Sequence, residues 1–140
     1  AQVVDQSGLC YWLPETELAE LSRPYSVKMY KPYDIPKAWS TRAGRTDRCK
    51  YDIADDLSKA TEAVAIFSTW NGHAAEVIGM NDQKFAGPIG KNHDLSYDLV
   101  PVPVELLKTG TNSLHTYSGT EHHGIEVQWP GPVLMIRFDK

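Results

Sequence analysis

The sequence predicts an all-β fold, a β-sandwich or jelly roll of about eight strands preceded by a short N-terminal helix. Three observations carry that expectation. From Tyr25 onward, short apolar or alternating stretches recur at close spacing, broken by Gly, Pro, Asn and Asp, the pattern of strands joined by tight turns. One of them, Ala63 to Trp70, is apolar on both faces and stops at Asn71-Gly72, as a central strand does. The length, 140 residues and 15.7 kDa, suits a single domain large enough to bury a core.

Taken in order, the first element differs from the rest. Pro14-Glu15-Thr16-Glu17-Leu18-Ala19-Glu20-Leu21 has a Pro in the first turn, early acids and leucines three apart, which predicts a short helix ended by Pro24. Residues 1–24 therefore form an N-terminal extension, and residues 25–140 the jelly roll. Tyr25 to Tyr33 alternates around Val27 and Met29, and Cys49 to Ile53 alternates again. Asp55 to Ala60 predicts one helical turn, with an Asp as its cap, or an irregular crossing segment. Glu76 to Met80 follows the central strand at hairpin distance and stops at Asn81-Asp82. Leu95 to Val104, Ser113 to Tyr117, Gly124 to Trp129 and Val133 to Phe138 complete the set. Pro36, Pro101 and Pro103 mark strand ends, edges or bulges, because proline cannot donate to a ladder.

Composition narrows the function classes. Hydrophobic residues at 41% and charged residues at 23% exclude a disordered chain or a fibrous repeat. A net charge of −4 argues against a partner made of nucleic acid phosphates. No apolar run approaches the ~20 residues of a membrane span. The chain begins Ala1-Gln2-Val3-Val4 without Met, the kind of start signal-peptide cleavage leaves, so the expected location is secreted, extracellular or periplasmic. In that setting Cys10 and Cys49 pair as one disulfide, contributing about 4 kcal/mol by the chain-entropy model. In a reducing compartment they are instead two buried thiols.

A passage in the middle of the chain carries a family resemblance. The buried strand Ala63 to Trp70, the hairpin Val77 to Phe85 around Asn81-Asp82, and the run from Ser96 to Leu114 follow one another. Within the last, Leu106-Leu107-Lys108-Thr109-Gly110-Thr111-Asn112 joins two strands: a Leu pair plugs the sandwich end, Gly110 takes a turn conformation and Asn112 satisfies the turn's backbone. This order resembles the galactose-binding-like jelly roll of carbohydrate-binding modules and of accessory domains in secreted polysaccharide-degrading enzymes. The resemblance covers roughly half the chain and leaves the region through Cys49 unmatched. It implies a polysaccharide ligand, a catalytic domain or enzyme as partner, and a structural calcium ion. Oxygen ligands for calcium are present at Asp52, Asp55, Asp56, Asp98 and Asp139, with Asp52 and Asp139 as the chosen candidates; no DxDxDG-type loop selects among them.

Sugar recognition needs an aromatic ring for the apolar face of a pyranose and planar polar groups for its hydroxyls. Trp39, Trp70, Tyr117 and Trp129 are the candidate rings, Trp39 first because a polar segment follows it. Asn71, His73, Asn92, His93, His123, Glu126, Gln128 and Arg137 are the candidate polar partners. Arg42, with Arg45 and Arg48 near it, keeps an acidic polymer in play through pairing with carboxylate or sulfate. In the stretch Gly124 to Pro132, Ile125, Val127 and Trp129 share one side while Glu126 and Gln128 face the other; Trp129 is then either a core plug or a ligand platform. Two rivals stand beside the non-catalytic binding module. One is a small polysaccharide lyase or hydrolase, for which Tyr117, His123 and Arg137 are suitable residue types. The other is a structural or protein-interaction sandwich.

Overall fold

The computed structural model describes residues 24–139 throughout and, before them, the backbone of two short strands, β1 (Gln2–Val4) and β2 (Cys10–Trp12). These two pair antiparallel with each other. The helix expected at Pro14 to Leu21 falls outside the described residues.

All remaining strands belong to two antiparallel sheets. The smaller joins β5 (Arg45–Ile53), β10 (Gly110–Ser118), β7 (Val77–Met80) and β8 (Gln83–Ala86) in that spatial order. The larger is built around β6 (Ala60–Trp70). Along one edge β6 pairs first with β12 (Val133–Asp139) and then with β11 (Ile125–Val127); along the other it pairs with β9 (Leu95–Val102). β3 (Tyr25–Tyr30) extends the sheet beyond β12, and β4 (Ser40–Thr41) beyond β11.

Alternation of side chains explains why the two sheets close on each other. Cys49, Tyr51 and Ile53 of β5, with Leu114 of β10 and Ile78 and Met80 of β7, point inward from the smaller sheet. Ala63, Ala65 and Phe67 of β6, Val100 and Val102 of β9, and Leu134, Ile136 and Phe138 of β12 meet them from the larger. One apolar core results, in a sandwich-like two-layer arrangement. The Tyr51 hydroxyl donates to the Pro132 carbonyl at 2.5 Å, so the one polar atom of that large buried ring is satisfied. Cys49 beside it is a free, buried thiol, pushed up to about 11 by loss of solvent. The bridge expected from it to Cys10 is not formed, and the Cys10 side chain lies outside the described residues.

Several local expectations match the backbone. Leu57–Lys59 is a single 3-10 turn capped by Asp56, whose carboxylate accepts from the Ser58 N–H at 2.9 Å. Asn81 and Asp82 hold left-handed backbone between β7 and β8, the geometry of a two-residue hairpin. Gly110 sits at φ +103°. Asn112 is buried there: it accepts from the Lys108 N–H at 3.0 Å and donates to the Lys108 carbonyl at 2.7 Å. Pro101 lies on β9, which pairs only with β6 and is an edge strand. One expectation fails. β7 is no hairpin partner of β6, because the 3-10 turn Gly72–Ala74 carries the chain across to the other sheet.

Candidate functional site

One end of the two-layer body gathers the segments with the least regular backbone. There β6 ends at Trp70, β9 begins at Leu95, β10 ends at Ser118, and the 40–45 connection meets residues 118–124. Asn71 is the hub. It is buried, at φ +56°, where asparagine is among the few residues tolerated. Its backbone N–H donates to the Asp94 carbonyl at 3.0 Å, and its side-chain carbonyl accepts from the His93 N–H at 2.9 Å. Its amide nitrogen donates to the carbonyls of His123 and, at 3.4 Å, Gly124. A single side chain thus pins the loop carrying His93 to the loop carrying His123.

The consequence is an aromatic cluster. Trp70 lies edge-on to His93 and His123, with ring centroids 5.7 Å and 5.9 Å away, and the two imidazoles are 5.2 Å apart. His93 and His123 both sit in left-handed backbone, a strain that persists where surrounding bonds fix it. Beside them opens a cavity of about 320 Å³, lined by Asn71, His73, Glu76, Asn92, His93 and His123 together with Ala74, Thr120 and His122. Glu76 accepts from the Gly119 N–H at 2.8 Å, which ties the rim to the end of β10. Gly72, under this rim, has no room for a Cβ, which would stand 2.8 Å from the Ile89 carbonyl oxygen.

Of the residues expected to bind a ligand, Trp70, Asn71, His73, His93 and His123 come together here. Glu126 is exposed on β11, directly across from Trp70 in register. Arg42 is exposed at the same end, its Cβ lying against Gly124. Arg48 leaves the basic group, pairing with Asp82 at 2.9 Å on the smaller sheet.

The other expectations separate. Trp39 is a correction: only 5% exposed, it donates its indole N–H to the Thr116 hydroxyl at 2.8 Å inside the core. Thr116 in turn meets the Thr41 hydroxyl, which donates to Asp47 at 2.6 Å. Trp129 departs from the core-plug alternative, being 81% exposed, and it does not line the cavity. Tyr117 is half-buried on the outer face of the smaller sheet, beyond the rim at Glu76. Arg137 lies near the opposite end of the larger sheet, over the Tyr25 ring and against Asp139, so Tyr117, His123 and Arg137 do not form one set.

Asp52 and Asp139, the calcium candidates, stand on different sheets, Asp52 accepting from the Tyr33 hydroxyl and Asp139 facing Arg137. Among the described residues no group of three His, Cys, Asp or Glu side chains could hold a metal ion. Glu76 and Thr120 were not expected at a site, whereas His122 lies beside the expected His123. Glu76 opens a strand-like stretch in sequence, and its place follows from its bonds to the end of β10, one from its N–H to the Tyr117 carbonyl at 3.0 Å and one from the Gly119 N–H to its carboxylate.

No family model matches the chain, and no curated protein matches it. Its fold is similar to solved structures of glycoside hydrolases. A BuGH86 variant in complex with neoagarooctaose superposes with a TM-score of 0.59 at 19% identity, over 81% of this chain and 19% of that one. A β-porphyranase of glycoside hydrolase family 86 from the human gut bacterium Bacteroides plebeius gives 0.58 at 15% identity, over 81% and 21%. Wild-type BuGH86 with neoagarooctaose gives 0.57 at 20% identity, over 81% and 19%. The chain therefore spans about a fifth of the length of the structures it matches.

Proposed function

We propose that this chain is an exported, non-catalytic carbohydrate-binding module with a galactose-binding-like jelly roll, which receives a polysaccharide at the loop end and works beside a catalytic domain. The observation that carries this reading is the convergence of His93 and His123, both lining one cavity, on the Trp70 ring beside it, with Asn71 holding the two loops. Aromatic faces suit the C–H surface of a pyranose, and imidazole, amide and carboxylate groups around them suit its hydroxyls. Fold similarity to polysaccharide hydrolases, two of them holding an oligosaccharide, supports the ligand class. Glu76 is the sole carboxylate lining the cavity among the described residues, whereas glycoside hydrolysis ordinarily needs a pair. That favours binding over cleavage.

Affinity electrophoresis and calorimetry test this directly, with neoagarooctaose and a panel of neutral, sulfated and uronate polymers as probes. At least one polymer retards the protein, and Trp70→Ala weakens that binding about tenfold or more, a loss of ~1.4 kcal/mol. Passage of every polymer unchanged overturns the reading. Release of reducing ends, or of unsaturated uronate absorbance, replaces it with an enzyme.

A further inference from the structure

The outer face of the larger sheet is the other surface that needs explaining. β3, β12, β6 and β9 lie side by side, and their outward positions carry Val27, Met29, Met135, Val64, Tyr97 and Leu99. Met29 is 57%, Leu99 59% and Tyr97 69% exposed. Two hollows of about 420 and 220 Å³ lie in this face, meeting at Glu62 and Val64. Charge is sparse at its centre: Glu62 faces Arg137 at 3.8 Å, so the pair nearly cancels in a protein of net charge −4. A neutral apolar face continuous over four strands is the mark of a surface that is covered.

Area decides what covers it. Four strands at ~4.8 Å spacing, each about seven residues long at ~3.3 Å per residue, give a footprint of about 450 Å². Counting both partners, that lies within the roughly 600–1,500 Å² of interfaces between domains of one chain. It falls short of the roughly 1,600 Å² of a complex between free proteins. A covalent link raises the effective concentration and makes the smaller area sufficient. The structures this chain resembles are about five times its length and are glycoside hydrolases.

We propose that this face seats a further, covalently linked domain of a polysaccharide-degrading enzyme. The proposal rests on the reading of the chain as a module that works beside a catalytic domain, and not on the glycan site itself. β6 connects the two surfaces, since Val64 and Ile66 lie on the face and Trp70 ends the same strand at the site. A domain seated there stands next to the bound polymer.

Hydroxyl-radical footprinting reads the face through Met29 and Tyr97, with Tyr33 as reference. Tyr33 is 37% exposed and bonds Asp52 on the other sheet. In the 140-residue chain, Met29 and Tyr97 are expected to oxidise readily at every protein concentration. In the complete natural polypeptide both rates fall at least fivefold relative to Tyr33. Equal rates in the two, or a complete polypeptide with no further domain, overturn the proposal. Protection that grows with concentration in the 140-residue chain, together with a dimer in sedimentation, overturns it in favour of a second copy. Glycan retardation is measured separately on the 140-residue chain, so failure of the binding site and failure of the docking face are told apart.

Discussion

Replacing Asn71 tests whether one side chain assembles the site. Asn71→Ala removes the acceptor for the His93 N–H and the donor to the His123 and Gly124 carbonyls. Leaving such groups unpaired costs about 1–3 kcal/mol each; the low end applies, because the His93 loop is exposed and water can reach it. Setting aside the long 3.4 Å contact to Gly124, the His93 N–H and the His123 carbonyl together give about 2 kcal/mol. Alanine held at φ +56° adds about 1 kcal/mol that glycine avoids. The expected losses are thus about 3 kcal/mol for Asn71→Ala and about 2 kcal/mol for Asn71→Gly. For a domain of this size each kcal/mol corresponds to roughly 4 °C in Tm. Urea unfolding of both variants measures the difference, and affinity electrophoresis measures the site, where either variant should lose at least tenfold in polymer binding. Losses below about 0.5 kcal/mol, or full polymer binding in both, would refute the pinning of the two histidine loops by Asn71.

Other perturbations separate core from site. Trp39→Phe deletes the bond to Thr116 and should cost about 1–2 kcal/mol in urea unfolding while polymer retardation is unchanged. Gly124→Ala places a Cβ 1.8 Å from the Thr41 carbonyl oxygen; since backbone cannot yield cheaply, it should lose about 3 kcal/mol or more. Gly44→Ala, at φ +74° with open space around it, should lose only about 1 kcal/mol. His115 has its proton affinity lowered by burial and by Arg48, so the unfolded chain takes up the proton first as pH falls. Its contribution is fully present above about pH 6.5 and declines below it, and His115→Gln should flatten the stability profile between about pH 7 and 5. The Asp55 carboxyl is held below its usual range by hydrogen bonds from Lys28 and Tyr30. That stabilisation is complete above about pH 4 and is lost as pH falls through the lower folded value, so Asp55→Asn should weaken the acid dependence of Tm.

Local chemistry made much of the fold legible. Asn81-Asp82 and Gly110 announce turns because few other residues accept their backbone conformations. The Leu107 plug and the Asn112 bonds are confined to a few neighbouring residues, so spacing alone conveys them. Burial decided by distant partners was not legible. Trp39 is followed by polar residues, yet its indole is claimed by Thr116, 77 positions later. The direction of Trp129 was not legible for another reason. Extending the alternation of Ile125 and Val127 places it inward, but the ladder ends at Val127 and a turn closes from the Gly131 N–H to the Gln128 carbonyl at 2.9 Å. Beyond that turn, strand periodicity no longer governs which way the indole points.

The candidate residues for the site were legible as residue types, and their assembly was not. Asn71, His93 and His123 stand in three separate polar segments, and nothing in their spacing says that one amide joins them. The connection follows from β6, whose pairing with β9 and β11 sets Leu95 and Glu126 opposite Trp70. Both neighbours thereby deliver their loops to the end of the same strand. A loop cluster built this way inherits the rigidity of the central strand, and its histidine backbones stay in left-handed conformations because Asn71 holds both loops. Preformed geometry reduces the ordering cost of binding. It also limits what the site accepts, since the rings can meet only a ligand whose apolar face approaches the Trp70 end of the larger sheet. That end borders the exposed apolar face, which is why the same strand governs both the proposed glycan site and the proposed domain seat.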